Sequence, residues 1–211
     1  MNSWVIILGS STNAGTQARA LACRFVSPSR IVTVGAAGSL HRSGGVQVER
    51  PLDRGTTPDV LLGLLQVLAR DLGASVVILR ASARLPGGFD LEEAVNAGLL
   101  ACDEGGAGAL LIATEDTAAP TDAAELDGSV IVANAWTLAN LVHERAPDWF
   151  RALRRVVWSP EEMDDAFECL APSDLLKDVL LPSAGALHVV PALRTWPSTP
   201  IWQSRQPLEA K

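Results

Sequence analysis

Residues 46–84 hold, in immediate succession, a short strand, a loop, a long apolar helix, a buried strand and a second loop. Strands connected through a helix run parallel, and parallel strands are found where helices cover both faces of their sheet. This stretch therefore ties the chain to an α/β architecture. Its loop reads Glu49-Arg50-Pro51-Leu52-Asp53-Arg54-Gly55-Thr56-Thr57-Pro58. Thr57 suits a helix cap, Pro58 suits the first turn because a missing N–H costs nothing there, and Gly73 suits the helix end. A loop held against a helix N-terminus meets outward-pointing amides and the positive end of the helix dipole. Asp53, Arg54, Gly55 and Thr56 are thus candidate contacts for a nucleotide or phosphosugar. The plainer alternative is a well-capped strand-to-helix turn.

The same alternation runs along most of the chain. Trp4-Val5-Ile6-Ile7-Leu8 is a continuous apolar run, as expected of a strand buried on both faces. It opens into Gly9-Ser10-Ser11-Thr12-Asn13-Ala14-Gly15 ahead of a helix over 16–25. Glycine-rich turns in that position bring backbone amides to phosphate, which makes Gly9, Ser10 and Ser11 further candidate nucleotide contacts. The loop matches neither a Walker loop nor the G-x-G-x-x-G pattern.

Strands are expected over 30–35 and 46–49, a helix over 58–72, and a central strand over 75–80 whose following residues, Ala81-Ser82-Ala83-Arg84, share the edge of the glycine-rich loop. Asp90 with Glu93 forms a capping box for the next helix, and Gly105-Gly106 stops it. Strands follow over 109–114 and 128–134, separated by a polar loop over 115–127. A helix over 135–145 ends before Pro147. Three short helices over 149–157, 160–170 and 173–180 come next, the second capped by Ser159 and the third by Ser173, and a last strand spans 187–191. The pattern predicts one domain over 1–211, a three-layer α/β sandwich with a mostly parallel, Rossmann-like central sheet. The 191–211 tail, with Trp196, Trp202 and four prolines, is too apolar for a free linker and is expected to pack on the domain or on a partner.

Composition narrows the function classes. A hydrophobic share of 48% with 19% charged residues describes a globular chain. A net charge of -7 argues against nucleic acid held through its phosphates. No apolar run approaches the roughly 20 residues that cross a bilayer, and residues 4–8 are too short for a signal peptide, so a cytoplasmic protein is expected. Cys23, Cys102 and Cys169 have no metal-ligand spacing and no disulfide framework, which predicts buried thiols in a reducing compartment. His41, His143 and His188 are scattered and point to no ligand set.

Several stretches together resemble the sugar-phosphate nucleotidyltransferases, closest to the mannose-1-phosphate guanylyltransferase group. They are the opening strand with its glycine-rich loop, Arg54-Gly55-Thr56-Thr57-Pro58 with the residues before it, Gly128-Ser129-Val130-Ile131-Val132-Ala133, Pro172-Ser173-Asp174-Leu175-Leu176-Lys177-Asp178-Val179-Leu180, and Leu187-His188-Val189-Val190-Pro191. The departures fall on the chemistry. The first loop lacks the family's double glycine and following arginine, and no lysine precedes Lys177. Ala81-Ser82-Ala83-Arg84 stands where the family has Pro-Ser-Asp-His, whose aspartate helps hold the metal. Trp196-Pro197-Ser198-Thr199 lacks the family's second carboxylate.

Nucleotidyl transfer joins polyanions, and metal-assisted charge neutralisation supplies much of its catalysis. The resemblance therefore implies a degenerate, non-catalytic domain that binds a nucleotide, a phosphosugar or a protein partner, a second copy of itself included. No cofactor is expected, and magnesium only if an active, atypical enzyme making a nucleotide-sugar such as GDP-mannose places a relocated ion on Asp90, Glu115 or Asp116. Arg80 or Arg84 is the candidate fixed cation in the ion's place, and Arg84 is counted among the nucleotide contacts. A flavodoxin-like flavin protein is a further alternative, weakened by the absence of tyrosine.

Overall fold

The computed structural model describes residues 2–9, 12–40, 44–81, 91–103, 109–113, 130–156 and 162–191. Among the described residues seven strands make one sheet: β1 (Ser3–Leu8), β2 (Ile31–Ala36), β3 (Val46–Arg50), β4 (Ser75–Arg80), β5 (Ala109–Ala113), β6 (Val130–Asn134) and β7 (Leu187–Pro191). Their spatial order is β3-β2-β1-β4-β6-β5-β7. β6 alone runs antiparallel to its two neighbours, so the sheet is mostly parallel, as the alternation of patterns implies. A flavodoxin-like arrangement is excluded: that order is 2-1-3-4-5, whereas here β1 lies between β2 and β4, and β4 is followed by an antiparallel strand.

The two sides of β1 explain the layers. Trp4, Ile6 and Leu8 join one buried cluster, Val5 and Ile7 the other, because successive side chains of a strand point to opposite faces. The first cluster takes in α2 (Thr56–Leu68), α4 (Ala135–Arg145) and α5 (Pro147–Val156); the second takes in α1 (Thr12–Ala22) and α3 (Leu91–Asp103). Helix α2 packs on β1, β2 and β3 and also against α4 and α5, which accounts for its apolar residues on most turns. Each such buried Leu, Ile or Val contributes roughly 1.5–3 kcal/mol. No helix among the described residues is long and apolar enough to cross a membrane.

Several local expectations need correction. Helix α2 starts at Thr56, with Gly55 in the cap position and no side-chain cap, so Thr57 is an internal residue. It ends at Leu68 rather than near Gly73, whose N–H instead donates to Asp71 Oδ1. The first helix begins at Thr12, earlier than expected, and ends at Ala22. Cys23 and Cys169 are exposed rather than buried. The expected features at Asp90, Gly105, Gly106 and Ser159, the 115–127 loop, and the tail beyond Pro191 lie outside the described residues.

Helix α4 carries a side-chain cap. The side chain of Asn134 accepts hydrogen bonds from the N–H groups of Trp136 and Thr137, at 3.0 and 3.1 Å. Replacing Asn134 with alanine is expected to cost about 1 kcal/mol, read as a lower urea midpoint with an unchanged denaturant slope.

Past α5, one ring pair fixes the path of the chain. The Trp149 and Phe167 centroids are 5.2 Å apart in an edge contact, and Trp149 Nε1 donates to the carbonyl of Ala171 at 2.9 Å. This anchors α6 (Met163–Cys169) and delivers the following residues to the carboxyl edge of the sheet.

Candidate functional site

In open α/β sheets, ligands sit outside the carboxyl ends of the strands where the winding reverses. Here that point lies between β1 and β4, whose last residues, Leu8 and Arg80, are register partners. Gly9 follows β1 with φ at 77°, a conformation that favours glycine, and its N–H donates to the carbonyl of Val34. Ala81 N–H donates to the carbonyl of Leu8. Gly9 is thus at the crevice itself, while Ser10, Ser11 and Arg84 lie outside the described residues.

The Asp53–Thr56 stretch has a more specific placement. Arg54 donates from Nε to the carbonyl of Phe167 at 2.7 Å and from Nη2 to that of Glu168 at 3.2 Å. Asp53 accepts from the Gly55 N–H at 3.1 Å, and that bond lowers its pKa, with Arg50 adding to the effect against partial burial. Gly55, at φ 90°, brings the loop into contact with Ser173.

Ser173 and Asp174 close over the start of α2. The Thr57 N–H donates to the Ser173 carbonyl, and the Ser173 N–H to the Arg54 carbonyl. The Ser173 hydroxyl lies 2.9 Å from Thr57 Oγ1 and 3.1 Å from Asp178 Oδ2. Thr56 Oγ1 donates to Asp174 Oδ2 at 2.9 Å and accepts from the Leu175 N–H at 2.8 Å. Asp174 also caps the π-helical segment Leu175–Leu180, where it accepts from the Lys177 N–H at 3.0 Å. A helix N-terminus leaves amides without intrahelical partners, and this one draws a partner from more than 100 residues away in the chain.

Arg80 completes the arrangement, with Nη2 3.7 Å from Asp174 Oδ2. Arg80 and Thr56 border a small cavity of about 10 Å³, floored by Leu8, Val60, Ile78 and Leu176 among others. That is room for about one water. The described crevice is therefore an apolar floor with a cation at its lip, and the cation is balanced by a carboxylate from the last third of the chain.

Residue patterns gave the loop and Arg80 but not their partners. Ser173 reads as an ordinary cap of the 173–180 helix, whereas the cap observed is Asp174, and nothing local says that either residue faces Thr56. Arg50 and Asp59 were also missed, although an aspartate inside an otherwise apolar helix was a usable signal.

No protein-family model and no curated protein matches this sequence. Its fold is shared with solved structures. One is a mannose-1-phosphate geranyltransferase from Thermus thermophilus, 18% identical, with a TM-score of 0.67 over 91% of this chain and 74% of that one. Another is a mannose-6-phosphate isomerase from Helicobacter pylori, 10% identical, with a TM-score of 0.61 over 91% of this chain and 98% of that one. At those identities the likeness is one of fold, an α/β sandwich also used by sugar-phosphate-processing proteins.

Proposed function

We propose that this chain is a sugar-phosphate nucleotidyltransferase-like domain, of the mannose-1-phosphate guanylyltransferase type, that binds a nucleotide or phosphosugar at the carboxyl edge of its sheet without transferring it. The observation that carries this reading is the Arg80–Asp174 ion pair at the end of β4, with Thr56 donating to the same Asp174 oxygen. A guanidinium at this edge is a fixed positive charge. It opposes a divalent cation beside it, and an anionic ligand that displaces the Asp174 carboxylate would take its place on the guanidinium.

The oxygen donors present agree with that. Magnesium takes oxygen ligands in near-octahedral geometry. Asp174 is engaged by Arg80, Thr56 and the Lys177 N–H, and Asp53 by Arg50 and the Gly55 N–H. Among the described residues no three or more His, Cys, Asp or Glu side chains gather as a metal group. Among the described residues this donor set does not fit a catalytic magnesium ion, and Asp90, Glu115 and Asp116 lie outside them. In the proposed complex, Gly9, Ser10 and Ser11 approach the phosphate, Asp53 and Arg84 border the ligand, and Arg54, Gly55 and Thr56 form a wall held by the Ser173 segment.

Thermal unfolding with GTP, GDP-mannose and mannose-1-phosphate, alongside a pyrophosphate-release assay with magnesium, tests the proposal. A ligand at a hundred times its dissociation constant adds about 2.7 kcal/mol, worth roughly 5–10 °C in a chain of this size. The expected result is such a shift with one of these ligands and no turnover. Pyrophosphate release that disappears when a single acid is replaced would make the protein an enzyme. No shift with any of the three would leave a protein partner as the reading.

A further inference from the structure

Arg50 ends β3 between two carboxylates in contrasting surroundings. Its Nε is 3.0 Å from Oδ2 of Asp59, in the first turn of α2, and its Nη2 is 3.1 Å from Oδ2 of Asp53, in the loop. The Asp59 side chain is 7% exposed and that of Asp53 77%. The second oxygen of Asp59, Oδ1, is buried without a hydrogen-bond partner. With both acids ionised, one guanidinium faces two negative charges, one of them held away from water.

That arrangement has an obvious place for a proton. Ionising a buried carboxyl is costly, and a second carboxylate on the same cation raises the cost. Burial pushes Asp59 up to about 7, with Arg50 opposing the shift and Asp53 adding to it. Among the described residues, the other elements packed on α2 bring no charge to the spot. β1 and β2 contain no ionisable side chain, and Glu49 of β3 accepts from the Gly38 N–H. Helices α4 and α5 and the π-helical segment bury apolar residues, while His143, Glu144, Arg145, Asp148, Arg151, Arg154, Arg155, Lys177 and Asp178 are exposed. Arg54 is directed to the carbonyls of Phe167 and Glu168.

We propose that Asp59 is a proton-operated latch on the 51–55 loop: ionised, it shares Arg50 with Asp53 and ties the loop to α2; neutral, it releases Arg50 to Asp53 alone. The Asp53–Gly55 turn then changes its electrostatic surroundings as the proton enters or leaves. The latch does not depend on what binds at the sheet edge, because every group in it belongs to the free protein.

Nuclear magnetic resonance of the full-length, ligand-free protein tests this from about pH 5 to about pH 9. The Asp59 carboxyl carbon and the Gly55 amide are expected to follow one shared transition close to neutrality. Asp59→Asn should abolish the Gly55 transition and fix its signal near the wild-type acid limit. Asp53→Asn should keep the transition and move it to lower pH, because a neighbouring negative charge is gone. If Asp59→Asn fails to fold, the wild-type and Asp53→Asn titrations decide. The proposal is overturned if the Asp59 carboxyl titrates in the ordinary carboxylate range, if the Gly55 amide ignores it, if Asp59→Asn retains the transition, or if Asp53→Asn leaves the midpoint in place.

Discussion

Gly55→Ala is expected to destabilise the protein by about 3 kcal/mol or more, from backbone strain and a backbone clash together. At φ 90° and ψ -173° the residue occupies a region essentially reserved for glycine. A Cβ there would stand 2.4 Å from the carbonyl oxygen of Ser173 and 3.0 Å from its carbonyl carbon, and neither is the movable end of a side chain. Relieving the overlap means moving Ser173 away, which weakens the bond from the Thr57 N–H and the reciprocal one from the Ser173 N–H to Arg54. In a chain of this length the loss corresponds to roughly 6–12 °C in melting temperature. Gly9→Ala is the control. Its φ is also positive, at 77°, but nothing lies within 4 Å of the added carbon, so about 1 kcal/mol of strain is expected. Equal losses in the two variants would mean that the contact with Ser173 has no weight. Faster hydrogen exchange at Thr57 and Ser173 in Gly55→Ala alone would locate the damage at the joint.

The joint also shows where reading residues in order succeeds and where it stops. Strands β1 and β4 are legible because a sheet covered on both faces needs uninterrupted apolar runs, and 4–8 and 75–80 supply them. The antiparallel sense of β6 is not written in Val130–Asn134, because a buried strand looks the same in either direction. The start of α2 shows a sharper limit. Local rules put the cap at Thr57 and the first turn at Pro58, yet the helix begins at Thr56, where Ser173 supplies the acceptor that the Thr57 N–H would otherwise lack. A cap drawn from the far end of the chain leaves no local signature. The exposed thiols of Cys23 and Cys169 are a similar case: each sits at the end of a helix, where the chain turns out to solvent.

The candidate site divides along the same line. Gly9 and the 53–56 turn were visible as loops next to a strand end and a helix, since glycine in a turn is a short-range feature. Their electrostatics were not. Whether Arg80 is a bare cation or a balanced one depends on Asp174, whose segment is held in place by the Trp149–Phe167 contact and by its bonds to Arg54, Thr56 and Thr57. The Arg54-Gly55-Thr56 and Ser173-Asp174 stretches, two of those that carry the family resemblance, are bonded to each other, so their pairing is a matter of architecture.

Stability should fall as pH rises toward neutrality and beyond, and Asp59 should be the cause. Its carboxyl is raised from 3.8 to about 7 in the folded protein, mainly by burial. In the window between those values the unfolded chain gives up the proton that the native state keeps. The resulting stabilisation is fully present below the unfolded value and is lost as pH passes through the folded one, about 7. Between about pH 5 and about pH 8 the expected loss is roughly 2–3 kcal/mol. Asp53 acts with the opposite sign and in a different window. Its lowered pKa, due first to the Gly55 N–H, gives stability above the unfolded value that disappears only as pH falls through the folded one. Asp59→Asn separates the two. An amide nearly matches the neutral carboxylic acid in shape and never ionises, so the variant's stability should stay level while the wild type's falls, widening its margin over the wild type by roughly 2–3 kcal/mol between about pH 5 and about pH 8. Urea unfolding at both values reads this directly. A wild type whose midpoint rises across the interval, or a variant whose margin over the wild type does not widen, would mean that Asp59 is ionised throughout and that its pairing with Arg50 outweighs its burial.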